Sequence, residues 1–347
     1  MRRLVVLTAS ILVLAAPAAA VARSPLETPA LWTARAPAGM TPQQLGAEAA
    51  VAGFHTVFVK AAEGTTPEPG LTGEFVAALR AQGIAVCAWT FVYGMQPDAE
   101  AAAAVAAVHA GAQCLVVDAE EQYDSLYGPA QRYVHDLRAA LGARFPIALA
   151  GQAEVLEHPK FPYSVFLGPG GFTADMPQVY WRELGLGVAA ALRLAGGENA
   201  WYGRPIAPVG QLFDGPSAQE VGEFAGEARS AGHGYSLFDL EAAPPATIAA
   251  ASATAGHAAT PVTAPATLRP GADGDEVLWA QEHLNGVGAR LPAGGFYGAS
   301  TASAVARFQR RHGLPGTGVL DGRTWRALLR VRPRVPSWAA APPLSAR

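Results

Sequence analysis

The sequence predicts an α/β chain: a (β/α)8 TIM-like barrel followed by a small three-helix domain. Three observations predict it. Short apolar runs alternate with Ala-rich amphipathic stretches across residues 27–243. A segment dominated by Ala, Thr and Pro breaks that pattern at 244–266. Beyond it, residues 267–331 carry a helical pattern twice, as Val277-x-x-x-Gln281 and Val305-x-x-x-Gln309.

Taken in order, the chain opens on a short basic pair, Arg2 and Arg3, an apolar stretch from Leu4 to Ala16, and small residues around Ala18 to Ala22. This is the layout of a secretory signal peptide, expected to span 1–22. The apolar stretch is short for a membrane span, which needs about 20 residues, so no stable span is expected once the signal is removed. Of the 347 residues, 50% are hydrophobic and 15% charged, enough for a sizeable core. The net charge of −3 offers no basic surplus and argues against a nucleic-acid partner.

Eight runs supply the barrel: ALWTARA (30–36), HTVFVKA (55–61), IAVCAWTF (84–91), CLVVDAE (114–120), PIALAG (146–151), PQVYW (177–181), PIAPVGQLF (205–213) and GYSLFDL (234–240). Runs apolar on both faces, separated by stretches such as 73–83 and 218–232, indicate a parallel sheet covered by helices. A doubly wound open sheet is the alternative, but no glycine-rich phosphate turn follows the first run. Cys87 and Cys114 fall inside two of the runs. In an exported protein they either pair or remain buried thiols. Buried thiols are the expectation, because neighbouring parallel strands rarely offer disulfide geometry.

Residues 244–266 read as a flexible to semi-extended linker, with nothing from which to build a core. In the last domain Val277, Leu278, Gln281 and Leu284 share one helical face, as do Ala304, Val305, Phe308 and Gln309. Ser300 and Asp321 are placed to cap helices, and Gly313-Leu314-Pro315 to end one. Thr324, Trp325, Leu328 and Leu329 supply the third helix, and 332–347 form a tail. These motifs, with the Phe-Tyr-Gly turn at 296–298 and the Asp-x-x-Thr-Trp ending at 321–325, resemble the peptidoglycan-binding domain of wall hydrolases. Ala280 stands where that family usually has Leu. The resemblance implies peptidoglycan as the partner of 267–331.

In a barrel, working residues sit at the C-terminal strand ends. In LVVDAEEQY, alternation turns Val116, Asp118 and Glu120 to one side, into the barrel mouth. Two carboxyls so close repel, so one is expected to hold its proton and serve as an acid, as glycoside hydrolysis requires. Lys60, Gln178, Gln211 and Asp239 add polar groups at other strand ends. Lys60 serves either as a partner of Asp118 or as a substrate contact, and Asp239 with Glu241 either supports the site or caps the last loop. Trp89, Tyr93, Tyr180 and Trp181 offer flat faces suited to sugar rings, some of them as core. The aromatic, Gly/Pro-rich stretch 158–172 fits a rim or lid.

FVKAAEGT, Val-Val-Asp-Ala-Glu and LFDLE resemble strands of the family 25 glycoside hydrolases, the lysozyme-like muramidases, and related exported barrels. That resemblance implies Glu120 as acid, Asp118 stabilising the sugar cation or orienting an acetamido group, and Asp239 in support. The first-strand Asp of those enzymes is missing from ALWTARAPAG. The eight His fall in no zinc-binding spacing, so neither a metal nor another cofactor is expected. Two functions follow: an exported hydrolase of wall glycan, or a binding protein whose glycoside-hydrolase-like barrel does not turn over. Three inward carboxylates favour the first, and the missing Asp favours the second. Hydrolysis of another extracellular glycan also fits.

Overall fold

The computed structural model describes residues 24–242, 244–252 and 265–340. Residues 1–22, for which the sequence leads to the expectation of a signal peptide, lie outside the described residues, as do 253–264 of the expected linker and 341–347 of the expected tail.

The strands are β1 (Ala30–Thr33), β2 (Thr56–Glu63), β3 (Thr66–Pro67), β4 (Ala85–Val92), β5 (Leu115–Ala119), β6 (Ile147–Ala150), β7 (Ala174–Asp175), β8 (Gln178–Val179), β9 (Val209–Gln211) and β10 (Ser236–Phe238). Their order in the sheet is β7-β6-β5-β4-β2-β1-β10-β9-β8, parallel throughout, with β3 folded back antiparallel on β2. The two edge strands are successive pieces of one extended segment. Isolated bridges Gln152↔Gln178 and Asp175↔Ile206 span the remaining gap, so the sheet comes round on itself as a barrel. Pro177, which has no N–H to give, divides that segment. Hence only Gln178–Val179 of the run 177–181 forms a strand, and Ala174–Asp175 adds one that the sequence does not announce.

The helices around the sheet are α1 (Pro42–Val51), α2 (Gly73–Arg80), α3 (Pro97–His109), α4 (Tyr127–Leu141), α5 (Tyr163–Leu167), α6 (Val188–Asn199) and α7 (Ala218–Ser230). Capping boxes start two of them: Thr41 with Gln44 at α1, and Ser217 with Glu220 at α7. Inside the barrel, Trp32, Phe58, Trp89, Val116, Ala148, Met176 and Val209 pack as one cluster. Leu115 and Val117 of β5 face the helices instead, as strand alternation demands.

Cys87 and Cys114 form a disulfide, with Cα atoms 4.6 Å apart. This corrects the expectation of two thiols. The register Ala88↔Leu115 sets the two cysteines side by side at the start of the pairing, with both side chains turned into the barrel.

Of the stretch 244–266, the described residues 244–252 are helical: α8 (Pro245–Ala249) and the 3-10 turn Ala250–Ser252. Ile248 and Ala251 are buried, and the Arg229 guanidinium donates to the Ala251 carbonyl at 2.7 Å.

The C-terminal domain holds α9 (Asp275–Gly286), α10 (Ala299–Arg311) and α11 (Gly322–Leu328), followed by α12 (Ser337–Ala340). The repeated glutamine has a structural cause. Gln281 donates to the Phe296 carbonyl and the Thr301 hydroxyl and accepts from the Gly294 and Gly295 amides. Gln309 does the same for Val319, Thr324 and Gly318. Each is a buried staple for the loop that follows its helix. Asp321 caps α11 as expected, whereas α10 starts from Gly298 with no side-chain cap, because Ser300 lies inside the helix.

This domain sits directly on the barrel. The Asp275 carboxyl accepts from the Ser164 amide (2.9 Å), the Ser164 hydroxyl (2.6 Å) and the Tyr202 hydroxyl (2.9 Å). The Asp275 amide donates to the Pro159 carbonyl at 2.8 Å, and the Trp279 indole to the Trp201 carbonyl at 3.1 Å. Gly274, at φ +127°, permits the approach, since a Cβ there would fall 2.4 Å from the Pro159 oxygen. The seat is the aromatic stretch 158–172. Phe161, Tyr163, Phe166 and Phe172 are buried in one apolar cluster with Val277, Trp279 and Leu284. That stretch is therefore a packing platform rather than an open lid, and α9 is buried on every side because it lies between barrel and module.

Candidate functional site

At the C-terminal ends of the strands opens a cavity of about 470 Å³. Asp118 and Glu120 reach it from β5 and its first following residue, Gln178 and Tyr180 from β8 and its first following residue, Lys60 from β2, and Trp89 from β4. Phe91, Phe213 and Phe238 complete an aromatic wall.

Asp118 is buried and Glu120 only partly so. The Gln178 side-chain amide donates to Asp118 Oδ1 at 2.8 Å and to Glu120 Oε1 at 3.0 Å, fixing the two carboxyls against each other. Burial raises the Asp118 carboxyl well above the usual carboxylate range. The charges of Glu120 and Glu63 push the same way, while Lys60 and the Gln178 bond oppose them. Burial thus favours the protonated form of Asp118.

Lys60 pairs with Glu63 at 2.7 Å and lies 5.0 Å from the centre of the Trp89 ring, rather than pairing with Asp118. In a regular strand, residues three apart face opposite sides. The register shift between Lys60 and Ala62 brings them together. The Tyr93 hydroxyl donates to Glu63, and Tyr93 stands outside the cavity lining. The Trp89 indole donates to the Thr33 carbonyl at 3.3 Å, and its ring packs on Trp32 and Phe238.

Not every residue singled out in the sequence converges here. Trp181 faces the helices, packs on Phe224 and donates to Glu220. Gln211 is fully buried, with its amide spent on the Arg182 N–H and the Phe213 carbonyl. Asp239 is half-buried at the end of β10, outside the lining, and burial first, then Glu241, raises its carboxyl. Glu241 caps the neighbouring strand end, accepting from the Thr33 hydroxyl (2.7 Å) and the Ala34 amide (2.9 Å).

The sequence does not single out Gln152, Glu154 and Glu183, which also line the cavity. Gln152 was within reach of the alternation rule, since Ala148 and Ala150 of β6 face inward. Glu154 and Glu183 lie in loops past the strand ends, where no periodicity applies. Burial raises the Glu183 carboxyl, helped by Asp214, Glu120 and Glu154. Among the described residues no group of three or more His, Cys, Asp or Glu side chains is arranged to hold a metal ion. Nor is any described helix long and apolar enough to cross a membrane.

Residues 273–328 match the family described as "Putative peptidoglycan binding domain". A comparison with curated proteins found no match. Among solved structures, the endolysin of Burkholderia phage AP3 is 41% identical over 18% of this chain and 24% of its own, with a TM-score of 0.18. The spore cortex-lytic enzyme SleL of Bacillus cereus is 8% identical over 65% of this chain and 74% of its own, with a TM-score of 0.48. A fungal endo-β-N-acetylglucosaminidase of glycosyl hydrolase family 18 is 15% identical over 65% and 97%, with a TM-score of 0.44. The chain thus spans about a quarter of the phage endolysin's length.

Proposed function

We propose that this chain is an exported, wall-associated glycan hydrolase whose barrel cleaves a glycosidic bond and whose C-terminal module binds peptidoglycan. The family match over 273–328 supports the wall partner, and the layout of 1–22 supports export. One observation carries the hydrolase reading: Asp118 and Glu120, on one strand end of an aromatic-walled cavity, share a single amide donor.

Such a pair holds one proton between two carboxyls, because burial and mutual repulsion oppose the doubly charged state. Burial favours that proton on Asp118 before substrate binds. Glu120, nearer the open cavity, takes that shared proton from Asp118 and delivers it to the leaving glycosidic oxygen as the glycosidic bond breaks. The carboxylate charge left in the pair then faces the developing sugar cation. Gln178 holds both oxygens in place through the transfer. Trp89, Tyr180 and Phe238 present rings to the sugar faces, and the Lys60 charge, partly offset by its pairing with Glu63, tempers the negative field.

One feature favours a barrel that binds without turnover. β1 ends in Thr33, and the carboxylate bound there, Glu241, lies outside the cavity lining. Release of reducing ends from purified sacculi, with Glu120→Gln alongside, separates the two readings. Hydrolysis predicts release by wild type alone, whereas background release by both supports a non-catalytic barrel.

A further inference from the structure

The module holds a second charged cavity, one lined by module residues alone. It measures about 190 Å³ and lies between the end of α9 and the outer face of α10. Leu284, Ala304 and Phe308 form an apolar floor, and Arg307, Arg311 and His312 form the rim. The rim is periodic, since residues 304, 307, 308 and 311 fall on one stripe of α10. His312 lies against Phe308 with ring centres 4.1 Å apart. No carboxylate lines the cavity, and neither arginine has an ion pair among the described residues.

The surrounding charge agrees. Residues 265–340 contain ten arginines against five acidic residues, although the whole chain is −3. The barrel cavity has the opposite character, with Asp118, Glu120, Glu154 and Glu183 in its wall. The two halves of the molecule therefore present opposite fields to a wall polymer.

We infer that the groove between α9 and α10 binds a carboxylate group of the peptide stems of peptidoglycan, with Arg307 and Arg311 as its anion contacts. This rests on the reading that the module binds peptidoglycan. Guanidinium groups a helical turn apart suit the fork geometry of a carboxylate. Drug-sized ligands need roughly 300–1,000 Å³, so about 190 Å³ admits the end of a short peptide rather than a disaccharide. The apolar floor takes the aliphatic part of that peptide, and the His312 ring adds a nitrogen that donates or accepts.

The test is retention of the full chain on insoluble sacculi, with Arg307→Gln/Arg311→Gln compared against the charge-matched control Arg326→Gln/Arg330→Gln. All four arginines are partly or fully exposed, so both variants keep the fold. The groove variant is expected to bind roughly tenfold more weakly, and the control to stay within about twofold. Sacculi stripped of peptide stems by an amidase should lose wild-type binding, and sacculi stripped of phosphate polymers by acid should keep it. Equal retention of both variants overturns the inference, as does undiminished binding to stem-free glycan or loss on phosphate removal alone. Failure of the wild type to bind intact sacculi overturns the peptidoglycan reading itself, and the inference with it.

Discussion

Asp118 and Glu120 are joined through one donor, the side-chain amide of Gln178, at 2.8 and 3.0 Å. A single planar group therefore sets the distance and orientation between a buried carboxyl and a more open one. An amide donates without carrying charge, so it holds the pair in place without forcing both members to ionise.

Gln178→Leu keeps the side-chain bulk and removes the donor. It is expected to lower kcat on wall glycan by about 10²-fold, with KM changed much less, since the lost bond orients the reacting groups. Steady-state kinetics on solubilised glycan checks this. A large rise in KM at constant kcat would place Gln178 in substrate binding instead.

The same geometry bears on stereochemistry. Oxygens within 3.0 Å of one nitrogen are no more than about 6 Å apart, below the roughly 6.5–9.5 Å that accommodates an attacking water in inverting enzymes. Cleavage is therefore expected to retain the anomeric configuration. Proton NMR of the first products reads this directly, and an inverted product would contradict the assignment.

Activity should have an alkaline limb set by Asp118. Its carboxyl is raised by burial, so its proton is lost only as pH climbs through that raised value. Glu63 contributes to that rise, and it also partly offsets the Lys60 charge. Glu63→Gln should therefore move the limb to lower pH. A pH–rate profile that does not shift, or shifts upward, would remove Glu63 from the account.

Much of this arrangement is legible in the sequence, and the limits have physical causes. Alternation along β5 and β8 suffices to aim Asp118, Glu120, Gln178 and Tyr180 inward, and the same rule sends Trp181 outward once the register is known. Pairing of Cys87 with Cys114 depends on which residues of two strands stand opposite, information that neither run contains alone. Glu154 and Glu183 come from loops with no period to read. The stretch 158–172 looks like a lid because it is apolar and irregular. Its apolar side chains are in fact buried under α9, a partner more than a hundred residues later in the chain.

That seat makes stability depend on pH. Burial raises Asp275 to about 7, against the three bonds it accepts from Ser164 and Tyr202. Glu282, also in α9, is raised by burial to about 9. For a carboxyl raised on folding, the stabilising proton is fully present below the unfolded value and is lost as pH climbs through the folded one. Thermal stability should therefore decline from about pH 5 to pH 9, with Asp275 contributing up to about 4 kcal/mol. Calorimetry across that range checks it, and stability rising toward pH 9 would contradict the buried assignment of both groups.

The central claim is that the barrel hydrolyses a glycosidic bond with Glu120 as proton donor. Digestion of purified sacculi in ¹⁸O-labelled water, followed by mass spectrometry of the soluble fragments, tests it most directly. Glycosidic hydrolysis with Glu120 as donor predicts one labelled oxygen at the new reducing end of each fragment, and no fragments with Glu120→Gln. Label in peptide carboxyls, or equal fragment release by wild type and Glu120→Gln, would contradict it.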